Sequence, residues 1–144
     1  MTFPKPRNGL VIRYSFLWRE DAARGREEGD KDRPCAVVLN SQDRAGHLIV
    51  VLLPITHTPP RDRQLAVEIP ADTKRRLGLD DDRSWIVVTD ANRFILPGPD
   101  LRPRRPGDAA SVAYGLLPAA VYEELLGKFI KALEARLAAA VPRT

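Results

Sequence analysis

Hydrophobic positions along the chain fall into short runs separated by polar, glycine and proline clusters. In residues 10–18, LVIRYSFLW, the residues Leu10, Ile12, Tyr14, Phe16 and Trp18 alternate with Arg13 and Ser15. A period of two predicts one strand with a single buried face. Residues 19–32 are highly charged, carry Gly25 and Gly29, and show no apolar periodicity, which predicts a long exposed loop. Two continuous apolar runs follow, at about 34–39 and 47–56, and read as buried strands around a turn. Pro59 and Pro60 stop the second ladder.

Residues 65–69 predict a fourth strand and 70–78 a short helix. Pro70 suits the helix start, Asp72 its first turn, Lys74, Arg75 and Arg76 its end, and Gly78 the position after it. Residues 84–90 predict a fifth strand, with 92–96 as a further strand or edge, and 97–111 a loop. Residues 117–141 give the clearest helix. Val121, Leu125, Phe129, Leu133 and Leu137 recur every fourth position, and Leu126 and Ile130 widen the stripe. The pattern predicts a mainly β fold with helices (α+β), built as a strongly bent sheet or small barrel.

Composition narrows this. The 144 residues predict a single domain over 1–144, with 1–8 as a loose lead-in. At 44% hydrophobic and 29% charged residues, the chain is globular rather than disordered. Cys35 is the only cysteine, so no intrachain disulfide forms. That fits a reducing cytoplasm, and its apolar neighbours make Cys35 a core residue rather than a nucleophile. One Cys and two His give no zinc-ligand spacing, and no metal or other cofactor is expected. No stretch reads as a signal sequence or is long enough to span a membrane, so a cytoplasmic location is expected. The net charge of +4 permits nucleic-acid binding without requiring it.

The candidate chemistry sits at strand ends. Arg33 opens the strand RPCAVVL, and VVLLPIT runs into Thr56, His57 and Thr58. Core packing requires none of these residues. A site built across the two strand ends would use an always-charged arginine, a hydroxyl and an imidazole that titrates near neutrality. Each also has a plainer reading. Arg33 pairs with Glu27, Glu28 or Asp32; Thr56 is a β-branched strand residue; Asp90 is a turn or capping residue. His57 faces away from Thr56 unless the chain turns between them. The clusters Arg61/Arg63, Lys74/Arg75/Arg76 and Arg102/Arg104/Arg105 track a nucleic-acid backbone or are simply solvated. Trp18 and Trp85 read as core.

The order of these pieces resembles the MazF/PemK family of bacterial toxin–antitoxin modules. The matching pieces are Gly9 before a strand, the loop GREEGDKD, Arg33-Pro34 launching a strand, and Pro54-Ile55-Thr56 ending one. Downstream, VEIP and RLGLDDDRSWIVVTDANRF match in order, the strand ending at the acidic Asp90. The resemblance covers roughly residues 9–96. It implies a small SH3-like β-barrel with helices attached, a homodimer, and metal-independent cleavage of single-stranded RNA at short sequences. It also implies a cognate antitoxin protein that blocks the RNA site, and inhibition of translation and growth by the free toxin. The resemblance makes Arg33 the phosphorane stabiliser and leaving-group acid, with Thr56 and Asp90 at matching positions; His57, which is not the commonest residue at its position in the family, joins the catalytic candidates as an imidazole able to act as acid or base. Arg13, Glu28, Lys31, Thr58, Arg61 and Arg93 become candidate RNA contacts. Two other readings stay open. One is a gyrase-poisoning toxin of the same fold, which relies on an aromatic C-terminus, whereas this chain ends LAAAVPRT. The other is a catalytically weak relative that binds RNA or protein.

Overall fold

The computed structural model describes residues 3–27, 29 and 31–143. In chain order the elements are β1 (Leu10–Tyr14), α1 (Arg19–Ala23), β2 (Arg33–Gln42), β3 (Leu48–Thr56), β4 (Ala66–Glu68), α2 (Ala71–Leu77), β5 (Trp85–Val87), β6 (Asp90–Ile95), β7 (Ala113–Leu116), α3 (Ala119–Glu134) and β8 (Ala139–Pro142). The protein is α+β. One eight-stranded sheet runs β4-β5-β3-β2-β1-β7 and does not close on itself. A branch adds β6 beside β3 and β8 beside β6. All pairings are antiparallel except β6 with β8, which is parallel.

Both faces of the sheet are covered. Val11, Ala36, Leu53 and Ile55 point to one side, where Leu77 of α2 and Leu125, Phe129 and Ala132 of α3 pack. Leu10, Ile12, Tyr14, Cys35, Val37 and Leu52 point to the other, against Phe16, Phe94, Leu101 and Val112. This is why the face of β1 that carries Val11 is covered, although Arg13 on the same face stays only half-buried. Val11 is as buried as its neighbours, because α3 lies over that side. Cys35 is fully buried, and desolvation pushes its thiol far above the ordinary range, as an inert core residue requires.

Four expectations are corrected. The strand from Leu10 ends at Tyr14, because the Ser15 amide turns away to the Asp100 carbonyl at 2.9 Å. The charged loop 19–32 contains helix α1, held by an Arg24–Glu20 pair at 2.7 Å. Five residues are too few for an apolar period to show. Residues 84–90 do not form one strand. β5 lies against Ile55 and Thr56, whereas β6 lies against Ile49–Leu52, and Pro54, with no N–H to donate, falls between.

The last correction concerns the C-terminus. α3 ends at Glu134, and Arg136 turns the chain with a left-handed φ of 59° into β8. Leu125 and Phe129 are buried, but Ile130, Leu133 and Leu137 are exposed. A fourfold spacing advances about 400° on a helix, so it drifts by about 40° at each step. Over the run from Val121 the stripe therefore rotates off the core, and Ala132 takes the buried position instead. Among the described residues, no helix is long and apolar enough to cross a membrane.

Candidate active site at the β2 and β3 rim

β2 and β3 are antiparallel neighbours, with Cys35 opposite Pro54, so the start of one strand and the end of the other share a rim. Thr56 is opposite Trp85 on its other side, which brings Ser84 to the same rim. α2 ends at Gly78, whose φ of 73° reverses the chain so that residues 79–84 run back beneath it. These segments enclose a cleft of about 320 Å³, lined by Lys31, Asp32, Arg33, Thr56, His57, Thr58, Lys74, Asp80 and Ser84 among others.

Arg33 is half-buried. Its guanidinium lies 5.1 Å from the Trp18 ring centroid and donates from NH1 to the Ile55 carbonyl at 3.4 Å. Its Nε is buried without a hydrogen-bond partner. Among the described residues no carboxylate pairs with it. Asp32 instead pairs with Arg13 at 3.6 Å and Arg102 at 3.4 Å. Arg33 is therefore held by stacking on Trp18 and by the Ile55 carbonyl rather than by an ion pair among the described residues.

After Thr56 the chain turns. The Thr58 amide donates to Thr56 Oγ1 at 3.2 Å, a local turn that cancels the strand alternation. Thr56 and His57 consequently line the same cleft. His57 Nε2 lies 2.8 Å from Asp80 Oδ2, and Lys74 Nζ donates to Asp80 Oδ1 at 2.6 Å. Lys74 is only 4% exposed, although it belongs to a cluster that reads as a solvated face. Its other donors go to Ser84 Oγ at 2.7 Å and to the Asp82 carbonyl. The hydrogen bond from Lys74, and then that from His57, hold the Asp80 carboxyl below the usual carboxylate range.

Of the residues singled out in the sequence, Arg33, Thr56, His57, Lys31 and Thr58 come together here. Asp90 does not line this cleft. It caps α1 from outside, accepting the Arg19 amide at 3.0 Å, and lines a separate hollow with Trp18, Arg19 and Glu20. Arg13 is half-buried, with NH1 on the Pro103 carbonyl at 3.3 Å besides its Asp32 pair. Arg61 is exposed in the loop after β3, and Arg93 is exposed on β6. Glu28 lies outside the described residues. The Arg102 cluster is held internally: Arg104 stacks 4.5 Å from the Tyr114 centroid, and Arg105 pairs with Asp108 at 2.8 Å.

Asp80, Ser84 and the inward turn of Lys74 escape sequence reasoning. Their one trace is the acidic run Asp80-Asp81-Asp82 placed directly after a basic helix end. His57, Asp80 and Asp82 each bring one ligand atom to within 4.8 Å of the others, the one such group among the described residues. The Lys74 ammonium already sits against Asp80 and the Asp82 carbonyl, and both Asp80 oxygens are engaged. The group suits an internal ion pair better than a divalent cation.

Glycine has a specific use in the approach to Arg33. A Cβ on Gly29 would lie 2.2 Å from the Phe16 carbonyl oxygen, so the loop passes where only glycine fits. No family model matches the sequence. No curated protein matches it either.

Proposed function

We propose that this protein is a metal-independent endoribonuclease toxin of the MazF/PemK type, cutting single-stranded RNA by 2′-hydroxyl attack. The supporting observation is the convergence of an arginine with no carboxylate partner among the described residues, a hydroxyl and an imidazole in one cleft at the β2 and β3 rim. In this reading Arg33 grips the phosphoryl oxygens and offsets the charge of the pentavalent intermediate. Thr56 hydrogen-bonds a phosphate oxygen or the attacking hydroxyl, and His57 exchanges the proton. The products are a 2′,3′-cyclic phosphate and a 5′-hydroxyl. Asp90 has no part in this scheme, because it lines a separate hollow beside α1 rather than this cleft.

The remaining parts of the proposal rest on the resemblance of residues 9–96: the SH3-like barrel topology of that toxin type, assembly as a homodimer, a cognate antitoxin covering the cleft, and arrest of translation in the cytoplasm. The test is incubation of purified protein with long single-stranded RNA in EDTA, with mapping of the cleaved ends. Cleavage should survive EDTA. Arg33→Ala should cut roughly a hundred- to thousandfold more slowly, the loss typical of one oxyanion donor. Arg33→Lys should rescue poorly, since an ammonium lacks the planar fork. Activity that vanishes in EDTA and returns with magnesium, or an Arg33→Ala protein that cuts at the parental rate, would sink the mechanism. RNA binding without any cleavage would move the reading to a catalytically inert relative.

A further inference from the structure

We infer that Asp80, oriented by the buried Lys74, is a positioning residue that fixes the His57 ring in the tautomer able to accept a proton at Nδ1. The inference rests on the proposed ribonuclease reading and adds to it the device that prepares the base.

The argument is one of donors and acceptors. An ionised carboxylate only accepts hydrogen bonds. Asp80 Oδ2 lies 2.8 Å from His57 Nε2, so in the neutral ring Nε2 carries the hydrogen. Nδ1 is then the nitrogen with a free lone pair, on a ring that lines the cleft with Thr56 and Arg33. Asp80's other oxygen holds the Lys74 ammonium at 2.6 Å, which favours this orientation although the Asp80 and His57 side chains are both about half exposed. Lys74 in turn is anchored by Ser84 Oγ at 2.7 Å and by the Asp82 carbonyl, and is 4% exposed. The chain Ser84–Lys74–Asp80–His57 thus ends on an imidazole with a defined proton. The reaction then balances simply. The 2′-hydroxyl proton passes to His57 Nδ1 as the 2′-oxygen bonds phosphorus, and the 5′-oxygen leaves with a proton returned from an acid in the cleft or from water.

Lys74 makes the test sharp. In Asp80→Asn the amide oxygen suits the Lys74 ammonium better than the amide nitrogen does, so the oxygen should face Lys74 and the nitrogen His57. That nitrogen donates, so Nε2 must accept, and the ring proton moves to Nδ1. The substitution therefore removes the base without removing the histidine. Ring nitrogen NMR reads this directly and without RNA. The chain has only two histidines, and His47 serves as an internal reference, since its Nδ1 lies 3.0 Å from Asp43 Oδ2 and so carries the hydrogen.

The experiment compares parent, Asp80→Asn, His57→Ala and the double variant, with single-stranded RNA as substrate and a thermal melt for each. The parent should show Nε2–H at His57 and Nδ1–H at His47, and Asp80→Asn should show Nδ1–H at both. Cleavage by Asp80→Asn should fall roughly tenfold or more in kcat with little change in KM, part of the roughly hundred- to ten-thousandfold that a positioned acid or base supplies. In the His57→Ala background, Asp80→Asn should cost nothing further. A parental tautomer in Asp80→Asn, or a rate loss that persists without His57, overturns the inference. If the parent cuts no RNA, the ribonuclease reading fails. The ring signals then decide alone: the expected switch keeps the positioning role, and an unchanged tautomer ends it.

Discussion

Arg143 should be among the costliest single side chains to remove. It is 3% exposed on its side chain and pairs with Asp100, itself 12% exposed, at 3.1 Å. Its NH1 donates to the Ser15 carbonyl at 2.9 Å and to Asn92 Oδ1 at 2.8 Å, and its NH2 donates to the Glu27 carbonyl at 3.3 Å. The guanidinium also lies 5.4 Å from the Tyr14 centroid. Arg143→Met keeps length and apolar volume but, among the described residues, leaves the Asp100 carboxylate with only Arg102, at 3.9 Å. Breaking a buried pair from one side costs about 3–5 kcal/mol, because the remaining charge is stranded. At about 3 °C per kcal/mol for a chain of this size, the melting temperature should fall by roughly 9–15 °C. Adding Asp100→Asn removes the stranded charge and should return part of the loss. The assay is urea unfolding, for the free energy, and thermal melting of parent, single and double variants, both followed by circular dichroism. An Arg143→Met protein within about 1 kcal/mol of the parent would refute the reasoning, since that is the scale of an exposed pair.

Two further outcomes follow from the rim itself. Asp80 has a depressed folded-state pKa, so its stabilising contribution is present above the unfolded carboxylate value of about 3.9 and is lost as pH falls through the lower folded value. The melting difference between parent and Asp80→Asn should thus be present near neutrality and shrink as pH falls below the unfolded carboxylate value, as measured by melts across a pH series. Gly29→Ala would place a Cβ 2.2 Å from the Phe16 carbonyl oxygen, so the variant should melt below the parent; an Ala variant that melts like the parent would show that the close approach is dispensable.

Much of the secondary structure follows from local pattern. The apolar runs that become β2 and β3, and the capped helix α2 with Gly78 after it, are decided by residues within a few positions of each other. The rim position of Arg33, Thr56 and His57 follows as soon as β2 and β3 pair antiparallel. What local pattern does not contain is which partner each polar group meets. Lys74 and Arg76 look alike in sequence, yet the return of residues 79–84 buries one and leaves the other exposed. Asp90 and Asp80 are both acids near strand starts, and only the packing of α1 against one and of His57 against the other separates their roles. The C-terminal segment shows the same limit. Its helical period is real, but the drift of a fourfold repeat and the free edge of β6 turn the last residues into a parallel strand. Period and propensity act over neighbouring residues. The direction of a buried charge depends on chain segments distant in sequence, and only the tertiary structure brings those together.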